Sequence, residues 1–281
     1  PIAQTIDAMS QMDDYSTVFG IKPPYLDCIV TVVDALRMKS EFSCGNSLTK
    51  HDIDEDDIEN LVIQQIEFCN IILLNKISEV TPEEAGLIKS IIRTLQPKAR
   101  IIECDYADVP LEDIINTRLF DFESVATSAT WVHEIEKPLD DDDNDDEHHH
   151  HHDEHHHHHH HDGEGEAEEY GIGTFVYFRR RPFNFDKFDR YVNMNWPANV
   201  IRTKGVLYFS HNRDMSILFE QAGVQKKITE AGLWYATAPE EELRQLMQYE
   251  PGLARDWDDV YGDRMIKLVF IGQHLDRDAI A

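Results

Sequence analysis

The chain has 281 residues, 41% of them hydrophobic and 10% aromatic, which is enough apolar material and enough length for two packed domains. Its 26 Lys and Arg stand against 54 Asp and Glu, and the formal charge of -28 works against nucleic acid and anionic membranes while favouring cations as partners. No apolar run approaches the roughly 20 residues a membrane span needs, and the first residues lack the basic-then-apolar layout of a signal peptide, so a soluble, cytoplasmic protein is expected.

The opening PIAQTIDAM reads as the middle of a helix and starts at Pro1 rather than Met, as a fragment would. Residues 26–33 (LDCIVTVV) are β-branched and nearly continuous, which predicts a strand covered on both faces with Asp34 at its end. Ile58, Leu61, Val62 and Ile66 then recur at helical spacing. A second apolar run, 70–74 (NIILL), ends in Asn75-Lys76. Thr81-Pro82-Glu83-Glu84 is a capping box with proline at the first helical position, followed by Leu87, Ile88, Ile91, Ile92 and Leu95. A third run, 100–104 (RIIEC), completes an alternation of strands and helices that predicts an α/β parallel sheet. Cys28, Cys44, Cys69 and Cys104 have no CxxC spacing and read as buried free thiols.

Residues 140–169 carry 14 acids, no Lys or Arg, and 12 of the 16 histidines. So little of this stretch is apolar that it is expected to remain a disordered linker. Beyond it, strand patterns at 174–178, 200–210, 215–220, 226–230 and 264–271, with helical patterns at 186–192 and 240–248, predict a small α+β domain. The expected organisation is a first domain over 1–130, the linker over 131–169 and a second domain over 170–281.

Imidazole suits Zn, Co and Ni, and four donors complete a tetrahedral zinc site. The candidate ligands are His148, His149, His150, His151, His152, His155, His156, His157, His158, His159, His160 and His161, enough for about three ions. An internal run interrupted by Asp153-Glu154 is unlike an expression tag. His51, His133, His211 and His274 stand alone and read as surface or packed residues. Arg179-Arg180-Arg181 is the one basic cluster and reads as a solvated strand edge. Phe183, Phe185, Phe188, Tyr191 and Trp196 read as core.

The segment IILLNKIS (71–78) resembles the guanine-reading NKxD signature of P-loop GTPases, with Ser78 where that signature has Asp. VTVVDA (30–35), the opening PIAQT, YGIGTFVYFRRRPF (170–183), NWPANVIRTKGVLYF (195–209) and KLVFIGQHLDRDAI (267–280) resemble the CobW/HypB/UreG family. The resemblance implies the C-terminal part of a P-loop GTPase sheet followed by a CobW C-terminal domain. It implies GTP bound through Asn75, Lys76 and Ser78, with Mg²⁺ in the complete protein. It also implies handling of zinc, or of cobalt or nickel, and delivery to a client metalloprotein. A hydroxyl offers one acceptor where a carboxylate offers two, so Ser78 is expected to weaken guanine discrimination by roughly 1–3 kcal/mol.

No GxxxxGK[ST] loop occurs in the sequence. In the family that loop and the CxCC metal motif precede the position matching Pro1, so the chain by itself is expected to be inactive as a GTPase. Asp34 suits either contact with the Mg²⁺ of a nucleotide or capping of the next helix. Two functions remain open: a GTP-dependent metallochaperone whose His tract collects metal, and a non-enzymatic histidine-rich metal buffer with a decayed nucleotide site.

Overall fold

The computed structural model describes residues 2–12, 15–42, 56–137, 170–223 and 225–280. They group into two units, one ending at Val132 and the other taking in His133 onward.

The first unit holds a parallel sheet of three strands, β1 (Val30–Asp34), β2 (Ile71–Asn75) and β3 (Arg100–Glu103), in that order. Helices α1 (Ile2–Ser10) and α2 (Tyr15–Phe19) precede it, and α3 (Ala35–Phe42) and α4 (Asp56–Glu67) join β1 to β2. Helix α5 (Pro82–Leu95) joins β2 to β3, and α6 (Phe122–Ala126) and α7 (Thr130–Glu136) follow. Strand β2 is central, with all four of its apolar residues buried, as a run of NIILL requires between two partners.

Strand β1 differs from expectation in extent and burial. Asp27 leaves the ladder because its carboxylate accepts from the N–H groups of Thr117 and Arg118, and its carbonyl accepts from Phe120. The strand therefore starts at Val30, and it alternates, with Thr31 and Val33 buried while Val30 and Val32 are exposed. Helix α4 keeps Ile66 of the expected set inward but shifts the face toward Ile63. Ile63 and Ile66 are buried, whereas Leu61 is exposed. Helix α5 begins as the sequence predicts, with the Thr81 hydroxyl accepting from the Glu84 N–H and the Glu84 carboxylate accepting from the Thr81 N–H. At its end, buried Gln96 donates to the Glu67 carbonyl at 2.8 Å and to the Ser128 hydroxyl at 2.6 Å, so this polar side chain is satisfied.

The second unit is an antiparallel sheet of five strands, ordered β4-β8-β5-β6-β7. These are β4 (Ile172–Arg179), β5 (Val200–Phe209), β6 (Asn212–Ala222), β7 (Gln225–Leu233) and β8 (Ile266–Gln273). The helices are α8 (Phe185–Met194), α9 (Glu240–Tyr249), α10 (Pro251–Arg255) and α11 (Arg277–Ile280). The core gathers Leu207, Phe209, Phe219, Leu268 and Phe270, with Phe183, Phe188 and Trp196 packed against it. Gly205 sits opposite Leu268 in the antiparallel pairing of β5 with β8: a Cβ there would lie 2.0 Å from the Lys267 carbonyl oxygen, so no other residue fits without moving backbone.

Of the basic cluster, Arg179 and Arg181 are exposed at the end of the edge strand β4, as the sequence suggests, but Arg180 is not. The Arg180 guanidinium is half-buried and donates to the carbonyls of Asp256, Gly262 and Arg264, pinning the 256–264 loop. Guanidinium carries five donors in a fixed fork, and a loop with unpaired carbonyls is an alternative to solvent for them.

Candidate nucleotide site

In an open parallel sheet, the crevice beyond the C-terminal ends of the strands is where ligands bind. Here β1 ends in Asp34, β2 ends in Asn75 followed by Lys76, and β3 is followed by Cys104 and Asp105.

Lys76 takes a left-handed conformation, φ 59° and ψ 37°, and so breaks β2 into a 3₁₀ turn over Ile77–Glu79. That twist sends its ammonium back across the sheet edge to Asp34, at 2.6 Å. Asp34 also accepts from the Arg37 N–H at 3.0 Å, so it caps α3 and pairs with Lys76 at once. Burial raises the Asp34 carboxyl pKa. The hydrogen bond and charge of Lys76 and the Arg37 N–H outweigh it, leaving the group below its ordinary value. The same hydrogen bond holds Lys76 above its ordinary value.

Asn75 points along the sheet edge instead. Its side-chain oxygen accepts from the Ala107 N–H at 3.0 Å and tethers the loop that follows β3. Ser78 donates through both its N–H and its hydroxyl to one oxygen of Asp105, at 3.1 and 2.9 Å, and the Ile77 N–H donates to the Cys104 carbonyl. Four hydrogen bonds thus knit the turn after β2 to the loop after β3. That loop carries two consecutive left-handed residues, Tyr106 and Ala107, both at φ 55°, and the Tyr106 side chain is 97% exposed. Strain of this kind in a non-glycine pair persists only where the surroundings over-determine it.

The three residues singled out by sequence, Asn75, Lys76 and Ser78, therefore share one strand end. Asp105 and Ala107 were missed. Their only sequence signal is that they follow a predicted strand, which marks the right edge of the sheet without saying which side chains meet there.

The profile of the CobW/HypB/UreG nucleotide-binding domain matches residues 12–103, and that of the cobalamin synthesis protein cobW C-terminal domain matches residues 172–281. The chain belongs to the CobW/HypB/UreG family. A relative of this family in Dictyostelium discoideum, zinc-regulated GTPase metalloprotein activator 1, is 30% identical over 284 residues, which are 97% of this chain and 53% of the relative. The chain thus spans about half the length of the curated relative it matches. Crystal structures of the E. coli YjiA GTPase, Zn(II)-bound, and of a Zn(II)-bound triple mutant align with 100% of this chain. The matches span 65% and 66% of those chains at 15% identity, with a TM-score of 0.32.

Within this CobW chain the donor set at the strand ends suits a purine nucleotide base: an amide that fixes the loop, a long aliphatic stem ending in an ammonium, and a carboxylate with one oxygen facing no described donor. It does not offer a ready cation site, because Asp34 is engaged by Lys76. Among the described residues no group of three or more His, Cys, Asp or Glu is placed to hold a metal ion. His148 to His152 and His155 to His161 lie outside the described residues. Cys28, Cys69 and Cys104 are free thiols, and Cys44 lies outside the described residues. Among the described residues no helix is long and apolar enough to cross a membrane.

Proposed function

We propose that the full-length protein carrying this chain is a GTP-dependent metallochaperone that delivers zinc to a client metalloprotein in the cytoplasm. The observation that carries this reading is the knitted edge formed by Asn75, Lys76, Ser78 and Asp105, a preformed rim on the side of a parallel sheet where nucleotides bind. The name of the Dictyostelium relative supports zinc as the metal and GTP as the nucleotide. Asn75, Lys76 and the Ser78 turn hold the base, and Mg²⁺ accompanies the phosphates. The histidines of 148–161 collect zinc, and they accept cobalt or nickel with less preference. The second domain meets the client.

Energetically, such a protein works because its nucleotide states differ in metal affinity, and delivery follows from that difference. The test is deletion of residues 140–169 from the full-length protein, followed by zinc titration against a competing chelator. One tight site survives in a chaperone. Loss of nearly all zinc binding would leave a histidine-rich buffer.

A further inference from the structure

We propose that Asp105, at the end of β3, supplies the carboxylate that selects guanine in this protein, in place of the acid that Ser78 replaces. The inference rests on the nucleotide reading above and adds its specificity-determining residue.

The Ser78 hydroxyl is committed as a donor. A carboxylate only accepts, so the 2.9 Å contact with Asp105 fixes the hydroxyl proton between the two side chains, and the Ser78 N–H adds a second donor to the same oxygen. Asp105 is thereby held at Oδ1 by two bonds from the residue standing at the family's acid position. Its Oδ2 accepts no hydrogen bond from a described side chain or backbone group and the residue remains partly exposed. A carboxylate with one oxygen anchored and the other open is oriented for an incoming pair of donors.

The guanine edge presents adjacent N1–H and N2–H donors, which the two lone pairs of the open Oδ2 can accept, whereas adenine presents an acceptor in the middle of its edge and is repelled. Asp105 also lies on the loop after β3, the strand next to β2, and the Ala107 N–H on the same loop is tied to Asn75. Carboxylate, amide and lysine thus belong to one connected unit, although the acid comes from the loop after β3 and not from the turn after β2 that carries the signature.

The test compares binding of fluorescent GDP and XDP, with Mg²⁺, to the full-length protein and to its Asp105→Asn and Ser78→Ala variants. The Asn side chain keeps an oxygen for the Ser78 N–H, so the turn is retained, and melting curves check this. It replaces an acceptor by an NH₂ donor, which opposes the donors of guanine and matches the C2 carbonyl of xanthine. Asp105→Asn is expected to weaken GDP by at least about tenfold and to strengthen XDP by a similar factor, while Ser78→Ala, which removes one of the two bonds that orient Asp105, weakens GDP by less than Asp105→Asn does and brings no gain for XDP. GDP binding within about twofold of wild type in Asp105→Asn, with no gain for XDP, would overturn the assignment of Asp105 alone. Absence of GDP binding by the wild-type protein would overturn the nucleotide reading and this inference with it.

Discussion

The ammonium of Lys76 and the carboxylate of Asp34 meet at 2.6 Å across the ends of neighbouring strands, half exposed to solvent. An ion pair so placed is screened and adds little to stability, so its importance lies in holding Lys76 over the sheet edge. Its pH dependence has two limbs. Asp34 is depressed below 3.8, so its contribution is complete above that value and is lost as pH falls through the depressed pKa. Lys76 is raised above 10.5, so its contribution is complete below that value and is lost as pH rises through the raised pKa. The stability difference between wild type and Asp34→Asn in urea titrations is therefore expected to be flat through neutral pH and to shrink in strong acid. A difference that persists undiminished there would mean that the pair is not its source. Cys69 gives a second check at this scale. Burial pushes its thiol up to about 12, so it is expected to resist maleimide at pH 8 until the protein unfolds. Rapid native labelling at Cys69, mapped by mass spectrometry, would contradict its burial.

At the scale of elements, the start of α5 and the pairing of β5 with β8 are the points where one atom decides the structure. Thr81→Ala removes the cap and is expected to cost about 1 kcal/mol in chemical denaturation. Gly205→Ala drives a methyl into the Lys267 carbonyl and is expected to cost about 3 kcal/mol or to prevent the second unit from folding. A neutral result would mean that β5 and β8 pack less closely than described. These features differ in how far the sequence reveals them. The capping box, the apolar β2 run and the five strands of the second sheet are written in local patterns, and they form close to where those patterns place them. The inward face of α4 was not legible, because Leu61, Val62 and Ile63 are consecutive and any of them could set the phase of a 3.6-residue repeat. Neither was the role of Arg180, which depends on carbonyls about 80 positions away. Asp105 was invisible for the same reason: its partner Ser78 is 27 positions distant, in the turn after another strand.

On the scale of the whole molecule, half of the net charge and most of the histidines are concentrated in about a tenth of the sequence, residues 140–169. Deletion of residues 140–169 is expected to lower zinc capacity by about three ions. The capacity of that segment is also expected to fall as pH drops through about 6.5, because imidazole must be neutral to bind metal. Zinc counting by atomic absorption after dialysis at several pH values reads both effects, and an unchanged count after the deletion would remove the tract from the account. The central claim is the coupling of nucleotide to metal. It is tested most directly by the zinc affinity of the full-length, tract-deleted protein, titrated once with GDP and once with a non-hydrolysable GTP analogue. A chaperone predicts affinities that differ by about tenfold or more between the two states. Equal affinities would contradict it.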